Sequence, residues 1–126
     1  MKNTIFKLTE HVYYFSLLVL LILYLFPGSL IGYLLYGNLG QQPNLISNPI
    51  GTSINHLIFF SYITILAMTA RLIAKNILTN YRFILFISCV LEISHLIIPN
   101  RAFEFYDLLG NMMGVVVVIL LRKLLK

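Results

Sequence analysis

Residues 91–114 read LEISHLIIPNRAFEFYDLLGNMMG. An apolar run stops at Pro99-Asn100-Arg101 and an apolar run resumes, which is the pattern of two helices joined by a tight turn. Glu92, His95, Arg101, Glu104, Asp107 and Asn111 crowd into this stretch, although it lies in one of the most apolar parts of the chain. Charge near the middle of a membrane helix costs roughly 2.5–3.5 kcal/mol on the insertion scale, so such residues call for partners or a function.

The rest of the chain says which solvent surrounds that turn. Across 126 residues, 60% are hydrophobic and only 10% charged, and mean hydropathy is +0.91. Soluble domains carry roughly 25% charged residues, so the composition points to an integral membrane protein. The length fits a single domain spanning residues 1–126, and no internal repeat is visible. The formal net charge is +5. Its basic residues flank apolar runs and are not interleaved with aromatics, which argues against a nucleic-acid partner. The lone cysteine, Cys89, excludes an internal disulfide and reads as a small packing residue. Residues 12–26 are too long for a typical signal-peptide core and no A-x-A-like cleavage site follows, so they read as a retained first span.

About 20 apolar residues cross a bilayer as a helix. By that measure the sequence predicts an all-α bundle of four transmembrane helices, near residues 11–26, 53–74, 81–98 and 103–121. Residues 29–36 either extend the first helix or lie at the interface. An irregular, charge-free, amide-rich loop follows, which on this reading covers the polar end at residues 38–48. Lys2 and Lys7, then Arg71, Lys75 and Arg82, then Arg122, Lys123 and Lys126 mark three basic segments, whereas Arg101 alone marks the alternate loops. The asymmetry predicts a multi-pass protein of the cytoplasmic membrane with both termini cytoplasmic. Tyr13, Tyr14 and Tyr81 then suit the inner interface and Tyr106 the outer one.

This topology brings polar residues of three helices to one level. Ser53, Asn55 and His56 open the second span, Glu92 and His95 close the third, and Glu104, Asp107 and Asn111 open the fourth. Ser88, Glu92 and His95 share a helical face, as do Glu104, Asp107, Asn111 and Gly114. The expectation is an outward-facing pocket lined by His56, Glu92, His95, Arg101, Asp107 and Asn111, with His56 at its rim and Arg101 reaching Glu92 or Asp107. Gly110 and Gly114 form a GxxxG spacing, predicted to pack the fourth span closely on the third. Glu104 also suits a helix N-terminus, where negative charge meets the macrodipole. Glu92-x-x-His95 has the spacing of carboxylate-bridged metal sites, but those need a second copy and further glutamates. No metal or other cofactor is therefore expected. Walker, G-x-S-x-G, Cys-x-x-Cys and H-E-x-x-H motifs are absent.

The run ExxHxxxPxRxFxxxDxxxNxxG, from Glu92 to Gly114, resembles the signature of the VanZ-like family, small bacterial membrane proteins whose founding member is associated with low-level teicoplanin resistance. Glu92, Pro99, Arg101, Asp107, Asn111 and Gly114 match that pattern, and His95 stands where the family usually has Gln. His56 matches a helix-opening histidine, with Thr52 and Ser53 where an Asp-Lys pair is common. The resemblance covers about the last third of the chain and implies a multi-span protein of the bacterial inner membrane, linked to the cell envelope. Two functions stay open. One is a binding protein whose pocket takes an amphiphilic envelope substrate, a lipid-linked glycan or a glycopeptide, with Arg101 on the anionic group. The other is a small membrane enzyme in which Glu92 or Asp107 works with His56 or His95 in acid–base chemistry. A proton or cation path is a weaker third reading, since four short spans leave little room for a pore.

Overall fold

The computed structural model describes residues 2–44, 46–47 and 51–125; Asn48 of the amide-rich loop and the C-terminal Lys126 lie outside the described residues. The described chain is all-helical: α1 (Lys2–Leu25), α2 (Leu30–Tyr36), α3 (Gly51–Ala70), α4 (Tyr81–Ser94) and α5 (Phe105–Leu124). Three helices, α1, α3 and α5, are long and apolar enough to cross a membrane. The helix α4 has 14 residues, about 21 Å at helical rise, and so falls short of the roughly 30 Å of a hydrocarbon core. Of the four transmembrane helices expected, three described helices have the length and apolarity to cross a membrane, and α4 as a regular helix does not.

Local chemistry explains where the helices stop. Pro27 disfavours helical backbone at the residue before it, and Gly28 takes φ 94, so α1 ends at Leu25. Residues 29–36 therefore do not continue the first helix. Ser29 caps α2 by accepting a hydrogen bond from the Gly32 N–H at 2.9 Å. The strand of loop after α2 folds back closely: a Cβ on Gly32 would lie 1.6 Å from the Gln41 carbonyl oxygen. Asn80 caps α4 in the same manner as Ser29, through the Arg82 N–H. Beyond Ser94 the chain keeps turning, with His95, Leu96 and Ile97 each bonded three residues back. Asn100 takes φ 58, a conformation asparagine tolerates, and turns the chain into α5.

The bundle is inverted relative to a water-soluble protein. Phe15, Leu18, Phe86, Leu96 and Ile97 are exposed, whereas Ser88, Glu92, Asn111 and Thr64 are fully buried. This arrangement suits a lipid surround, which has no reason to expel apolar side chains. The helix α3 is central and packs on α1, α4 and α5, with Tyr13, Leu17, Phe60, Ile63, Ala67 and Val115 in the shared core.

One close approach differs from the sequence expectation. A Cβ on Gly110 would meet the Ser53 carbonyl oxygen at 2.4 Å, and one on Gly114 the Leu57 carbonyl oxygen at 2.5 Å. Gly110 and Gly114 therefore seat α5 against α3, not against α4. The Ser61 hydroxyl donates to the Gly114 carbonyl at 3.1 Å and fixes the pair. The α4 contact with α5 is instead polar, with the Asn111 amide on the Ser88 carbonyl and the Glu104 N–H on Glu92.

At the opposite end of the bundle, Tyr13 is buried, and its hydroxyl donates to the Leu78 carbonyl. The Asn76 amide donates to the Tyr14 hydroxyl at 2.7 Å, so α1 is tied to the basic loop between α3 and α4.

Candidate functional site

The end of α1, the start of α3, the end of α4 and the start of α5 meet at one level. His56, Glu92, His95, Asp107 and Asn111 come together there, all but His56 buried. The helical faces explain it: Glu92 and His95 are one turn apart on α4, and Asp107 and Asn111 one turn apart on α5.

His56 lies between the two carboxylates and is the least buried of the five. Its Nε2 is 3.6 Å from Asp107 Oδ2, and its Nδ1 is 3.9 Å from Glu92 Oε2. The same Nδ1 is 2.7 Å from the Tyr24 hydroxyl and 3.0 Å from Asn111 Oδ1. Tyr24 spends its one hydroxyl hydrogen on Asn111 Oδ1, at 2.7 Å. Oxygens thus face both ring nitrogens of His56. His95 is similar: Nδ1 lies 3.3 Å from Glu92 Oε1 and Nε2 lies 3.2 Å from the Tyr24 carbonyl. The two imidazoles hold Tyr24 between them, His95 stacked on its ring at 5.3 Å and His56 edge-on at 5.5 Å.

The remaining polar atoms are mostly satisfied. Asn111 Nδ2 donates to the Ser88 carbonyl at 3.3 Å, and the Ser53 hydroxyl donates to Asp107 Oδ1 at 2.7 Å. The Glu104 backbone N–H donates to Glu92 Oε1 at 3.2 Å. Among the described residues, Glu92 Oε2 is the buried side-chain oxygen left without a hydrogen bond. Glu104 itself departs from the group: its side chain is exposed and makes no capping bond. Partial loss of solvent first, then the nearby Asp107 and Glu92 carboxylates, raise its carboxyl pKa.

Arg101 overturns its expectation. It forms no ion pair with Glu92 or Asp107 among the described residues. Its Nε donates to the Phe26 carbonyl at 3.3 Å and its Nη2 to the Leu23 carbonyl. These are the open carbonyls at the C-terminal end of α1, where cations bind well. Burial lowers the guanidinium pKa, while Tyr24 and Glu92 oppose the shift. The histidine rings, not the Arg101 guanidinium, are the groups within 4 Å of the carboxylate oxygens.

Beside this cluster is a cavity of about 150 Å3 lined by Tyr24, His56, His95, Arg101, Ser29 and Gln42, with Leu30, Ile31 and Phe59 on its apolar side. The described part of the amide-rich loop borders it through Gln42 and Pro43, and the Asn55 amide holds that loop by donating to the Pro43 carbonyl at 2.6 Å. No group of His, Cys, Asp and Glu among the described residues has the geometry to hold a metal ion. Tyr24 is the participant that sequence reasoning missed. A tyrosine in LLILYLF carries no local sign of its partners, and only the depth it shares with His56 and Asn111 hinted at them.

Compared with family models, curated proteins and solved structures, the chain finds no match.

Proposed function

We propose that this chain is a four-pass protein of the bacterial cytoplasmic membrane, VanZ-like, with both termini cytoplasmic. Its cavity binds the polar head of an amphiphilic envelope substrate, a lipid-linked glycan or a glycopeptide. The observation that carries this reading is the cavity lined by Tyr24, His56, His95 and Arg101 at the edge of a buried polar network. Concave sites with a few convergent polar groups are the usual form of small-ligand pockets. The Glu92-to-Gly114 motif supports the family, and the three basic segments support the orientation. For the fourth crossing, the turns from His95 to Ile98 extend α4 to about 27 Å at helical rise. Mass spectrometry of lipids and glycans that co-purify with the protein tests the reading, with Arg101→Ala as control. A species enriched with the native chain and depleted with the variant is expected; identical profiles would sink it.

An enzyme is the second reading, favoured by the chain Asp107, His56, Tyr24, which links a buried carboxylate through an imidazole to a hydroxyl on the cavity wall. Such a chain can move a proton to or from a bound substrate. Asp107→Asn or Glu92→Gln should then keep ligand binding and lose turnover, whereas a pure binder should lose affinity.

A further inference from the structure

The charge of the cavity wall is selective. Arg101, His56 and His95 line it, and neither Glu92 nor Asp107 does. The carboxylates lie behind the rings, with His56 Nε2 turned to Asp107 and His95 Nδ1 to Glu92. Among the described residues the Arg101 hydrogen bonds go to the Leu23 and Phe26 carbonyls, and a guanidinium carries five N–H donors, so donors remain for an anion.

On its apolar side the cavity has a neighbour. Ile31, Pro43, Asn55 and Phe59 also line a second space of about 470 Å3, which runs on between α2 and α3 past Ile58 to Tyr62. Ile31, Ile58 and Tyr62 are exposed to the surroundings of the bundle. Deep in this direction the Tyr62 hydroxyl meets the Ser16 hydroxyl at 2.9 Å, tying α3 to α1. A cavity with Arg101, His56 and His95 on one wall thus adjoins an apolar space bordered by exposed side chains. Both spaces are within or below the roughly 300–1,000 Å3 of one small-ligand site, which leaves room for one chain.

We propose that the two spaces form one site for a single-chain lipid ending in an anion, drawn laterally from the bilayer, with its head against Arg101 and its chain between α2 and α3. This rests on the amphiphile reading above and adds the sign of the head, the number of chains and the route of entry. Phosphate and carboxylate heads share the required chemistry.

The full chain has no tryptophan, so Ile58→Trp installs one fluorophore in the apolar space. In neutral maltoside micelles, this variant is titrated with chain-brominated decyl phosphate, decanoate, decyl trimethylammonium and decyl glucoside, and with a two-chain dialkyl phosphate. Saturable quenching by an anionic single-chain probe is expected, and its two arms distinguish phosphate from carboxylate. Adding Arg101→Gln should weaken it at least about tenfold, the scale of one charge-assisted hydrogen bond, and Arg101→Lys should restore part of it. Should Arg101→Gln fail to fold, Ile31→Glu at the exposed mouth must weaken the anionic probes by repulsion; unchanged affinity there overturns the proposal. Equal quenching by the ammonium or glucoside probe overturns the anionic head, and equal quenching by the dialkyl phosphate overturns the single chain. Either of those results leaves an amphiphile pocket standing. Saturation by no probe, with no co-purifying amphiphile, defeats both readings.

Discussion

Tyr24 shows how one hydroxyl can organise a buried network. It gives its hydrogen to Asn111 and accepts from the side of His56. Tyr24→Phe should therefore cost about 1–2 kcal/mol, the penalty of leaving buried polar atoms short of a partner, read by reversible unfolding in mixed micelles. Tyr33→Phe, at an exposed hydroxyl, should be neutral by the same measurement. Glu104 offers a test by pH. Its pKa is raised in the folded chain, so between the ordinary carboxylate pKa and the raised one the native state holds more protons than the unfolded state. Stability from this group is present in acid and falls as pH rises through that window. Glu104→Gln should match the native chain below about pH 4, near the ordinary carboxylate pKa, and melt slightly higher at pH 7; an equal or lower melting temperature at pH 7 would contradict the repulsion. The presence of Glu92, His95, Asp107 and Asn111 at one site was legible in the sequence because polar groups in apolar helices must find each other. The partner of Arg101 was not, because charge arithmetic ignores backbone carbonyls, and here those of α1 compete with the carboxylates.

Among the elements, the seam of α5 on α3 is the tightest. Gly114→Ala would press a methyl to 2.5 Å from the Leu57 carbonyl and 2.9 Å from Phe60 Cβ. A loss of about 1–3 kcal/mol is expected from overpacking, against little change for Val117→Leu on the same helix. Equal effects would mean that this face of α5 is not the seam. The spacing of Gly110 and Gly114 announced a close helix contact, but a GxxxG motif names no partner. The contact of α5 with α4 is polar instead, at Ser88 and Glu92. Pro27 and Gly28 left it open whether the first helix ended or ran on to Tyr36, since the cap Ser29 that separates α2 is an ordinary residue in membrane helices.

For the molecule as a whole, orientation is the decisive unknown quantity that a simple measurement supplies. Alkaline phosphatase fused near Asn44 or Asn100 should be active, and fused near Asn76 inactive, if the basic loop between α3 and α4 faces the cytoplasm. Activity at Asn76 would turn the cavity inward and remove it from the envelope. The helical class and the membrane-length helices were legible from hydropathy alone; the reach of α4 was not, because the bonded turns after Ser94 replace regular helix just where the polar cluster begins. The ties of α1 have a consequence for biogenesis. The carbonyls of Leu23, Tyr24 and Phe26 find donors in Arg101 and His95, some seventy residues later in the chain. While the ribosome is still making the middle of the protein, the first helix sits in the translocon with that end unsealed. Ties to Tyr62 and Leu78 can already hold the rest of α1, but this end must wait for the last hairpin, so a nascent chain arrested before residue 95 should leave the Leu23, Tyr24 and Phe26 carbonyls open.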